Sequence, residues 1–333
     1  MSRPTISFDE LSAVLKAAGE STRLRILALL SEAELTVSDL TEILRQSQPR
    51  ISRHLRLLAE AGLAERFREG SWAFFRMAEH GGGSALARTL LASLDPTDPV
   101  IARDRERLTA VRGARAAAAQ AYFRAHAAEW DRIRKLHVAD EAVEAAIRDA
   151  LGERPFRSLL DLGTGTGRIL ELFGPSIERG LGIDLSLDML LIARSRLERA
   201  GLRHCSVRQG DIYDLATPRE GFDVVIVHQV LHFLDDGGRA IAEAARMLRP
   251  AGRLLVVDFA PHDLEFLREE HAHRRLGFTP ETIDQWMTAA GLEAVNHRTL
   301  PPDPASDGKI AVSLWLGRDP RMAVVAPGTR EVA

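Results

Sequence analysis

Between Ser158 and Ser186 the chain reads SLLDLGTGTGRILELFGPSIERGLGIDLS, and this stretch limits the possible folds more than any other. The apolar run Leu159, Leu160, Leu162 has the make-up of a strand buried inside a parallel sheet. A turn with Gly163, Gly165 and Gly167 follows, then a helix from about Arg168, then a second apolar run from Leu181 to Ile183 closed by Asp184. Glycine at alternate positions lets the backbone turn tightly and lets a ligand lie against bare amides at a helix N-terminus. An acid closing the second strand is placed to accept hydrogen bonds from two ribose hydroxyls. The spacing is Gly-x-Gly-x-Gly with Asp161 just before it, whereas the dinucleotide fingerprint is Gly-x-Gly-x-x-Gly. The glycine turn by itself leaves a nicotinamide or flavin open as the rival ligand.

A length of 333 residues predicts two domains of ordinary size, and 45% hydrophobic with 27% charged residues describes a soluble globular chain. The net charge of −3 carries no global nucleic-acid signal, so any DNA contact must come from a local basic surface. Cys205 is the only cysteine, which excludes intrachain disulfides and multi-cysteine metal sites and fits a reducing compartment. Neither a signal-peptide apolar region nor a run of membrane-spanning length is present, so the expectation is a cytoplasmic protein with no membrane partner.

Residues 5–78 have the rhythm of short helices followed by a hairpin. Phe8, Leu11, Val14, Leu15 and Ala18 recur at helical spacing, and Gly19 breaks the run. Ser21 or Thr22 is placed to cap a second helix, and Thr36 or Ser38 to start a third that carries Val37, Leu40, Ile43 and Leu44. A fourth helix has Ser47 as N-cap, Pro49 in its first turn, Ile51, Leu55 and Leu58 as its buried stripe and Gly62 at its end. Two β-like segments, 64–68 and 73–77, are joined by Glu69-Gly70-Ser71. Helix, turn, helix and wing is a DNA-reading arrangement. With the stripe inward, Pro49, Ser52, Arg53 and Arg56 turn outward, while Gln48 and Arg50 sit at the end that enters a groove. Arg66, Arg68 and Arg76 give the wing a positive strip. On charge alone, a solvated helix with ordinary surface arginines is an equal reading.

The segments AAGESTRLRILALL, ELTVSDLTEIL, SQPRISRHLRLLAEAGL and REGSWAFFRM look, in that order, like successive elements of ArsR-type winged-helix repressors. The resemblance implies an N-terminal winged helix-turn-helix (α+β) domain over residues 5–94 that binds operator double-stranded DNA. The residues it implies for that contact are Ser47, Gln48, Arg50, Ser52, Arg53, His54, Arg56 and Arg68. His54 matches a histidine common in the family's recognition helix, although its periodicity sets it at the buried edge. The family pairs subunits through its first and last helices, which implies a homodimer through a helix at 85–94. Its metal-sensing members begin the third helix with Cys-Val-Cys. Thr36 and Ser38 stand there in this chain and are poor soft-metal ligands, so no metal is expected.

Glu79-His80-Gly81-Gly82-Gly83 reads as a break, Asp95-Pro96-Thr97-Asp98-Pro99 as a domain end, and residues 100–137 as a long charged helix rich in Ala and Arg. A helical linker is expected over 95–120, and Tyr122, Phe123 and Trp130 concentrate aromatic surface just after it.

Asp161-Leu-Gly-Thr-Gly-Thr-Gly167 resembles the first motif of class I S-adenosylmethionine (AdoMet) methyltransferases. That resemblance implies an α/β Rossmann-like domain with a seven-stranded, mostly parallel sheet over residues 121–318, and AdoMet as cofactor with S-adenosylhomocysteine (AdoHcy) as product. It implies that Asp161, Gly163, Thr164, Gly165 and Gly167 hold the amino-acid end of the cofactor. Asp184 would hold the ribose, Met189, Asp211 and Ile212 the adenine, and Leu185 is a further cofactor-binding residue. His228 adjoins the same crevice, and Tyr122 and Trp130 lie in a segment that folds over the cofactor in similar enzymes. His228-Gln229-Val230-Leu231-His232-Phe233 resembles the fourth motif of quinone and small-molecule methyltransferases, so a small-molecule methyl acceptor is implied. The remaining pattern predicts a helix over 264–277, another from Pro280 to Ala290, two antiparallel strands at 292–299 and 309–317, and a disordered tail over 319–333.

Methyl transfer from a sulfonium asks the protein chiefly for alignment and water exclusion, with a base only where the nucleophile must lose a proton. His228 and His232, just past the fourth strand, are the candidate catalytic residues, and His262 could share their pocket. Polar lining of the pocket is the plainer reading of all three. Glu270-His271-Ala-His273 is a weak metal candidate, because helix positions two apart diverge. The Asn-Pro-Pro-Tyr element of amino-methylating enzymes is absent, as is the cysteine set of arsenite methylation. Three functions remain: a DNA-binding regulator that methylates a small molecule, a regulator whose second domain only senses AdoMet or AdoHcy, and an O-methyltransferase whose winged helix serves dimerisation.

Overall fold

The computed structural model describes residues 6–69, 72–78, 81–127, 140–215, 221–302 and 310–322. The chain divides into two compact units, Met1–Ala118 and Ala119–Ala333. Trp130 and the Gly70-Ser71 turn lie outside the described residues.

The first unit opens with α1 (Phe8–Ala18), α2 (Ser21–Leu30), β1 (Leu35–Thr36) and α3 (Val37–Leu44). Thr36 caps α3 reciprocally with Asp39, each side chain bonding the other's backbone N–H. The cap of α2 is Glu20, whose carboxylate accepts from Arg23 N–H at 2.9 Å, and neither Ser21 nor Thr22 serves there. Arg45 adopts a left-handed conformation, φ 52°, and turns the chain into α4 (Gln48–Glu60), with Ser47 at its N-cap. The wing strands β2 (Ala64–Glu69) and β3 (Trp72–Met77) pair antiparallel, and β1 adds to β3. Ile26, Leu40, Ile43, Ile51, Leu55 and Leu58 are fully buried in one core, each contributing about 2 kcal/mol by removal from water.

The glycines at 82 and 83 do not interrupt the chain as expected: α5 spans Gly82–Ala92. Glycine suits this start, since a Cβ on Gly82 would sit 1.8 Å from Ile6 Cγ2 and one on Gly83 3.0 Å from Val14 Cγ2 of α1. The charged helix α6 (Pro99–His126) follows, and the expected extension to 137 falls outside the described residues. Its first half is packed rather than free-standing. Ile101, Leu108 and Val111 are buried. Arg25 makes a two-pronged bond to the buried Asp104 at 2.6 and 2.7 Å, and Arg112 reaches Glu32 O at 2.8 Å. Arg115 pairs with Asp39 at the α3 cap.

The second unit is a seven-stranded sheet with helices on both faces. Its elements are α7 (Asp140–Leu151), β4 (Ser158–Leu162), α8 (Arg168–Phe173), β5 (Arg179–Asp184), α9 (Leu187–Arg199), β6 (Cys205–Gln209), β7 (Phe222–His228), α10 (Gly237–Met247), β8 (Leu248–Phe259), α11 (Phe266–Glu270), α12 (Pro280–Ala289), β9 (Glu293–Leu300) and β10 (Val312–Arg318). The strand order is β6-β5-β4-β7-β8-β10-β9, and β10 alone runs against its neighbours. Alternation along each central strand feeds two cores. Leu159, Val224, Ile226, Leu255 and Val257 face one, while Leu160, Leu162, Val225, Val227, Leu254 and Val256 face the other. The order reverses at β4, and ligands of open parallel sheets bind beyond the strand ends at such a point.

Two expectations fail here. The helix predicted over 264–277 is only α11, because Ala272 turns left-handed at φ 55° and the chain leaves the helix at His271. Gly277 then lets the chain return against β8, where a Cβ would lie 2.2 Å from Ala260 O. The first residues of the expected disordered tail are also held: Asp319 N–H donates to Gly252 O at 2.9 Å and Arg321 reaches Leu248 O at 3.3 Å. Residues 323–333 lie outside the described residues.

Candidate functional site

The glycine turn is pinned to the end of β5. Gly163 and Thr164 N–H both donate to Ile183 O, at 2.8 and 3.0 Å. Thr164 Oγ1 donates to Asp161 Oδ2 at 2.6 Å, and Gly182 makes room for it, since a Cβ there would lie 2.6 Å from that oxygen. Asp161 and Thr164, expected to help hold the cofactor's amino-acid end, are buried and bonded to each other, which fixes the shape of the turn. Gly163, Gly165 and Gly167 all have positive φ. Gly167 is the left-handed N-cap of α8, and a Cβ on it would approach Ala193 Cβ to 3.0 Å.

Asp184 faces this turn. Its Oδ2 accepts from Gly165 N–H at 2.8 Å and its Oδ1 from Ser186 N–H at 2.8 Å. Burial pushes its carboxyl above the ordinary value, against the pull of these amides. A carboxylate has about four lone-pair positions, so acceptor capacity remains for two ribose hydroxyls. The residues therefore fit a nucleoside: a turn whose glycines let a ligand approach the backbone, an oriented carboxylate, and apolar surface beside it. Leu185 is 37% exposed at the crevice edge, while Met189 and Ile212 are buried behind it. Asp211 is exposed, its Oδ1 accepting from Tyr213 N–H at 2.9 Å.

The histidines separate. His228 ends β7, half-buried, and Gln229 after it is left-handed at φ 54° with its N–H on Val257 O. His232, expected as a candidate base, is buried at 2% exposure with Nδ1 2.8 Å from Asp258 Oδ1, so it does not open onto the crevice. His262 is half-buried with its ring 6.0 Å from that of Phe259. Tyr122, expected over the cofactor, has its hydroxyl 2.6 Å from His271 Nδ1. Sequence reasoning missed His271 as a partner and Asp258 altogether. Asp258 nearly ends an apolar strand as Asp184 ends β5, and that parallel was the available signal. No group of three or more His, Cys, Asp or Glu among the described residues could hold a metal ion.

In the first unit Ser47, Gln48, Arg50, Ser52, Arg53 and Arg56 are exposed on α4, with Arg68 exposed on the wing. Arg56 Nε lies 3.6 Å from Glu60 Oε1. His54 departs from the set: it is buried at 9%, with Nδ1 3.5 Å from Glu20 Oε2. Burial pushes its imidazole below the ordinary value despite Glu20. Arg76 also departs, since it pairs with Glu65 at 3.0 Å and Glu34 at 3.8 Å, so Arg66 and Arg68 carry the wing's exposed charge.

Comparison with known proteins divides the chain at the same places. Residues 20–66 match the family model described as bacterial regulatory protein, arsR family, and residues 160–256 match a methyltransferase domain. The arsenical resistance operon repressor of Escherichia coli (strain K12) is 48% identical over 68 residues, 20% of this chain and 58% of the repressor. The uncharacterized methyltransferase YcgJ of Bacillus subtilis (strain 168) is 32% identical over 106 residues, 32% of this chain and 42% of that protein. The ubiquinone/menaquinone biosynthesis C-methyltransferase UbiE of Vibrio vulnificus (strain YJ016) is 33% identical over 116 residues, 34% of this chain and 45% of that protein. The chain thus spans less than half the length of these two methyltransferases. A chain from the complex of the Haloferax volcanii Trm112 methyltransferase activator with a methyltransferase has the same fold, with a TM-score of 0.51 and 22% identity over 61% of this chain and 98% of that one. An arsR-type helix-turn-helix region therefore precedes a Rossmann-like methyltransferase domain. Among the described residues no helix is long and apolar enough to cross a membrane.

Proposed function

We propose that this protein is a DNA-binding regulator whose second domain binds AdoMet and methylates a small molecule. The observation that carries the cofactor half is the 2.8 Å bond from Gly165 N–H to Asp184, which joins the glycine turn to the ribose-binding acid. When bound, AdoMet supplies a methyl group on a sulfonium. The turn over residues 163–167 would receive its amino-acid end, Asp184 would orient its ribose, and the glycine surfaces would allow backbone and cofactor to approach closely. For the DNA half, the exposed face of α4 carries Arg50 and Arg53 beside Ser52, as a groove-entering helix requires. A homodimer is supported by α1, where Phe8 is 83%, Leu11 37% and Leu15 48% exposed on one side. Two copies present two such helices to two half-sites.

One observation favours a second reading, in which the domain only senses AdoMet or AdoHcy: His232, one of the two expected bases, is shut in against Asp258. Calorimetry with AdoMet and AdoHcy, together with a gel shift on the protein's own promoter region, tests both halves. The expected results are binding of both nucleosides and a retarded band. Absence of nucleoside binding defeats the cofactor half, and absence of retardation at low salt defeats the DNA half. Transfer of labelled methyl from AdoMet to a small acceptor separates enzyme from sensor.

A further inference from the structure

Over the carboxyl end of the sheet, the last turn of α6 joins the two lips of the crevice. On the β5 side, Arg124 Nε lies 3.5 Å from Asp188 Oδ2, in the first turn of α9. On the β7 side, the Phe123 ring meets the Phe233 ring edge-on at 4.7 Å. The segment leading to Phe233 also closes on the glycine turn, because a Cβ on Gly163 would come within 2.3 Å of Val230 Cγ2. Tyr122 stands next to both anchors in sequence, and its hydroxyl is bonded to His271 Nδ1 across 2.6 Å. The Tyr122–His271 pair is thus carried by the helix turn that is anchored on both lips, one anchor being the Phe233 segment whose Val230 packs on the glycine turn.

The pair has the chemistry of a proton relay. Burial pushes the Tyr122 hydroxyl above its ordinary value and the His271 imidazole below its own. Glu270 pulls the imidazole up and His126 pushes it further down. Both members are thus neutral near neutral pH, with tyrosine as donor and imidazole as acceptor. A neutral tyrosine can take a proton on its oxygen only while passing its own to a partner, and His271 is in position to receive it. The walls are flat rings: His126 lies 4.3 Å from Tyr122 and Phe266 lies 6.0 Å from His271.

We propose that Tyr122 and His271 form the acid–base relay of the methyl-acceptor site, and that the acceptor is a small aromatic molecule bearing a hydroxyl. This rests on the methyltransferase reading above. The oxygen–methyl bond forms as the methyl–sulfur bond breaks, and the electron pair of the broken bond stays on sulfur. The acceptor's hydroxyl proton passes to Tyr122 Oη while the Tyr122 proton passes to His271 Nδ1, which ends as an imidazolium that water can discharge. Tyr122 is the catalytic residue, since it touches the acceptor. His271 acts through it. A phenol is matched to this relay because its acidity is close to tyrosine's own, whereas a neutral amine has no need of a base.

The test uses the full-length protein saturated with AdoHcy, and 4-nitrophenol, whose phenol and phenolate forms differ in colour. At a pH about one unit below its free half-ionisation, the bound probe is expected to be phenolate in the wild type. Tyr122→Phe keeps the ring and its packing, and His271→Gln keeps a hydrogen-bonding side chain. Each is expected to abolish the bound phenolate signal while AdoHcy affinity by calorimetry stays within about threefold. With AdoMet in place of AdoHcy, each is expected to slow labelled-methyl transfer to 4-nitrophenol by at least about tenfold. A wild type that fails to bind AdoHcy breaks the underlying methyltransferase reading. A wild type that binds AdoHcy but leaves 4-nitrophenol unbound or protonated overturns the relay and its acceptor class. A wild-type phenolate signal in either variant overturns the pairing.

Discussion

His232 Nδ1 lies 2.8 Å from Asp258 Oδ1, and both side chains are essentially out of reach of water. The same oxygen accepts from Phe259 N–H at 2.8 Å, and the imidazole is boxed between the rings of Phe233 at 4.0 Å, His273 at 4.3 Å and Phe259 at 4.7 Å. The pair ties the segment after β7 to the end of β8. Replacing His232 by Ala leaves a buried carboxyl short of a donor and opens a cavity, so urea unfolding should show a loss of about 3 kcal/mol. AdoHcy affinity measured below the transition should be retained. A variant of unchanged stability that loses methyl transfer would instead make His232 a chemical participant.

Asp184 sets two pH dependences of opposite sense. Its pKa in the folded chain lies above the ordinary aspartate value of 3.8 because of burial, so the folded state holds its proton more tightly than the unfolded one. Its contribution to stability is therefore present in full below 3.8 and is lost as pH rises through the shifted value. Nucleoside binding needs the carboxylate, so AdoHcy affinity should fall on acidification, starting at a higher pH than an ordinary aspartate would give. Calorimetry across that range reads the second effect, and unfolding curves of wild type against Asp184→Ala read the first. The same substitution should weaken AdoHcy by roughly a hundredfold.

At Gly163 two costs can be separated. A Cβ would meet Val230 Cγ2 at 2.3 Å, and the backbone is left-handed at φ 71°. Gly163→Ala should destabilise by about 2–4 kcal/mol. Adding Val230→Ala should restore part of that loss, leaving the conformational share of roughly 1 kcal/mol and the vacancy left by the valine. A thermodynamic cycle from denaturation of the four proteins gives the coupling. Strict additivity would mean that the contact does not oppose the substitution.

Arg53 and Arg56 should not be equivalent. Arg56 is shared with Glu60 at 3.6 Å, whereas Arg53 is exposed on the same face of α4. Arg53→Ala should weaken operator binding by about tenfold, Arg56→Ala by less, and Glu60→Ala should strengthen it slightly. Each arginine that contacts phosphate should lower the salt slope by about one when removed. Anisotropy titrations at several salt concentrations measure both quantities.

Local regularities carried most of the fold. The Ile51, Leu55, Leu58 stripe, the Thr36 cap and the apolar run of β4 each depend on neighbours within a few positions, which is where periodicity and capping chemistry act. Asp184 was legible for the same reason, since it ends an apolar run next to a glycine turn. Tyr122 and His271 meet across 149 positions, and the two segments that hold them were read separately, so nothing short-range announces their bond. His232 was misplaced because a sequence motif gives a position on the chain and not the direction of a ring. The lost helix after α11 turned on one alanine in a left-handed conformation, a choice its side chain does not advertise. Arg76 looked like free positive charge until Glu34, distant in sequence, was found beside it.

The bond between Arg115 and Asp39 bears on where this protein can be cut. Asp39 completes the cap of α3, so the helix that precedes the DNA-facing one is held partly by a residue 76 positions downstream. A fragment ending near residue 94 would strip Leu108 and Val111 from the core and leave Asp104's partner Arg25 unanswered. Such a truncation should be recovered as an unstable or insoluble product, while one extended through Ala118 should survive purification. The practical seam of the molecule thus lies some two dozen residues beyond the point where its composition changes.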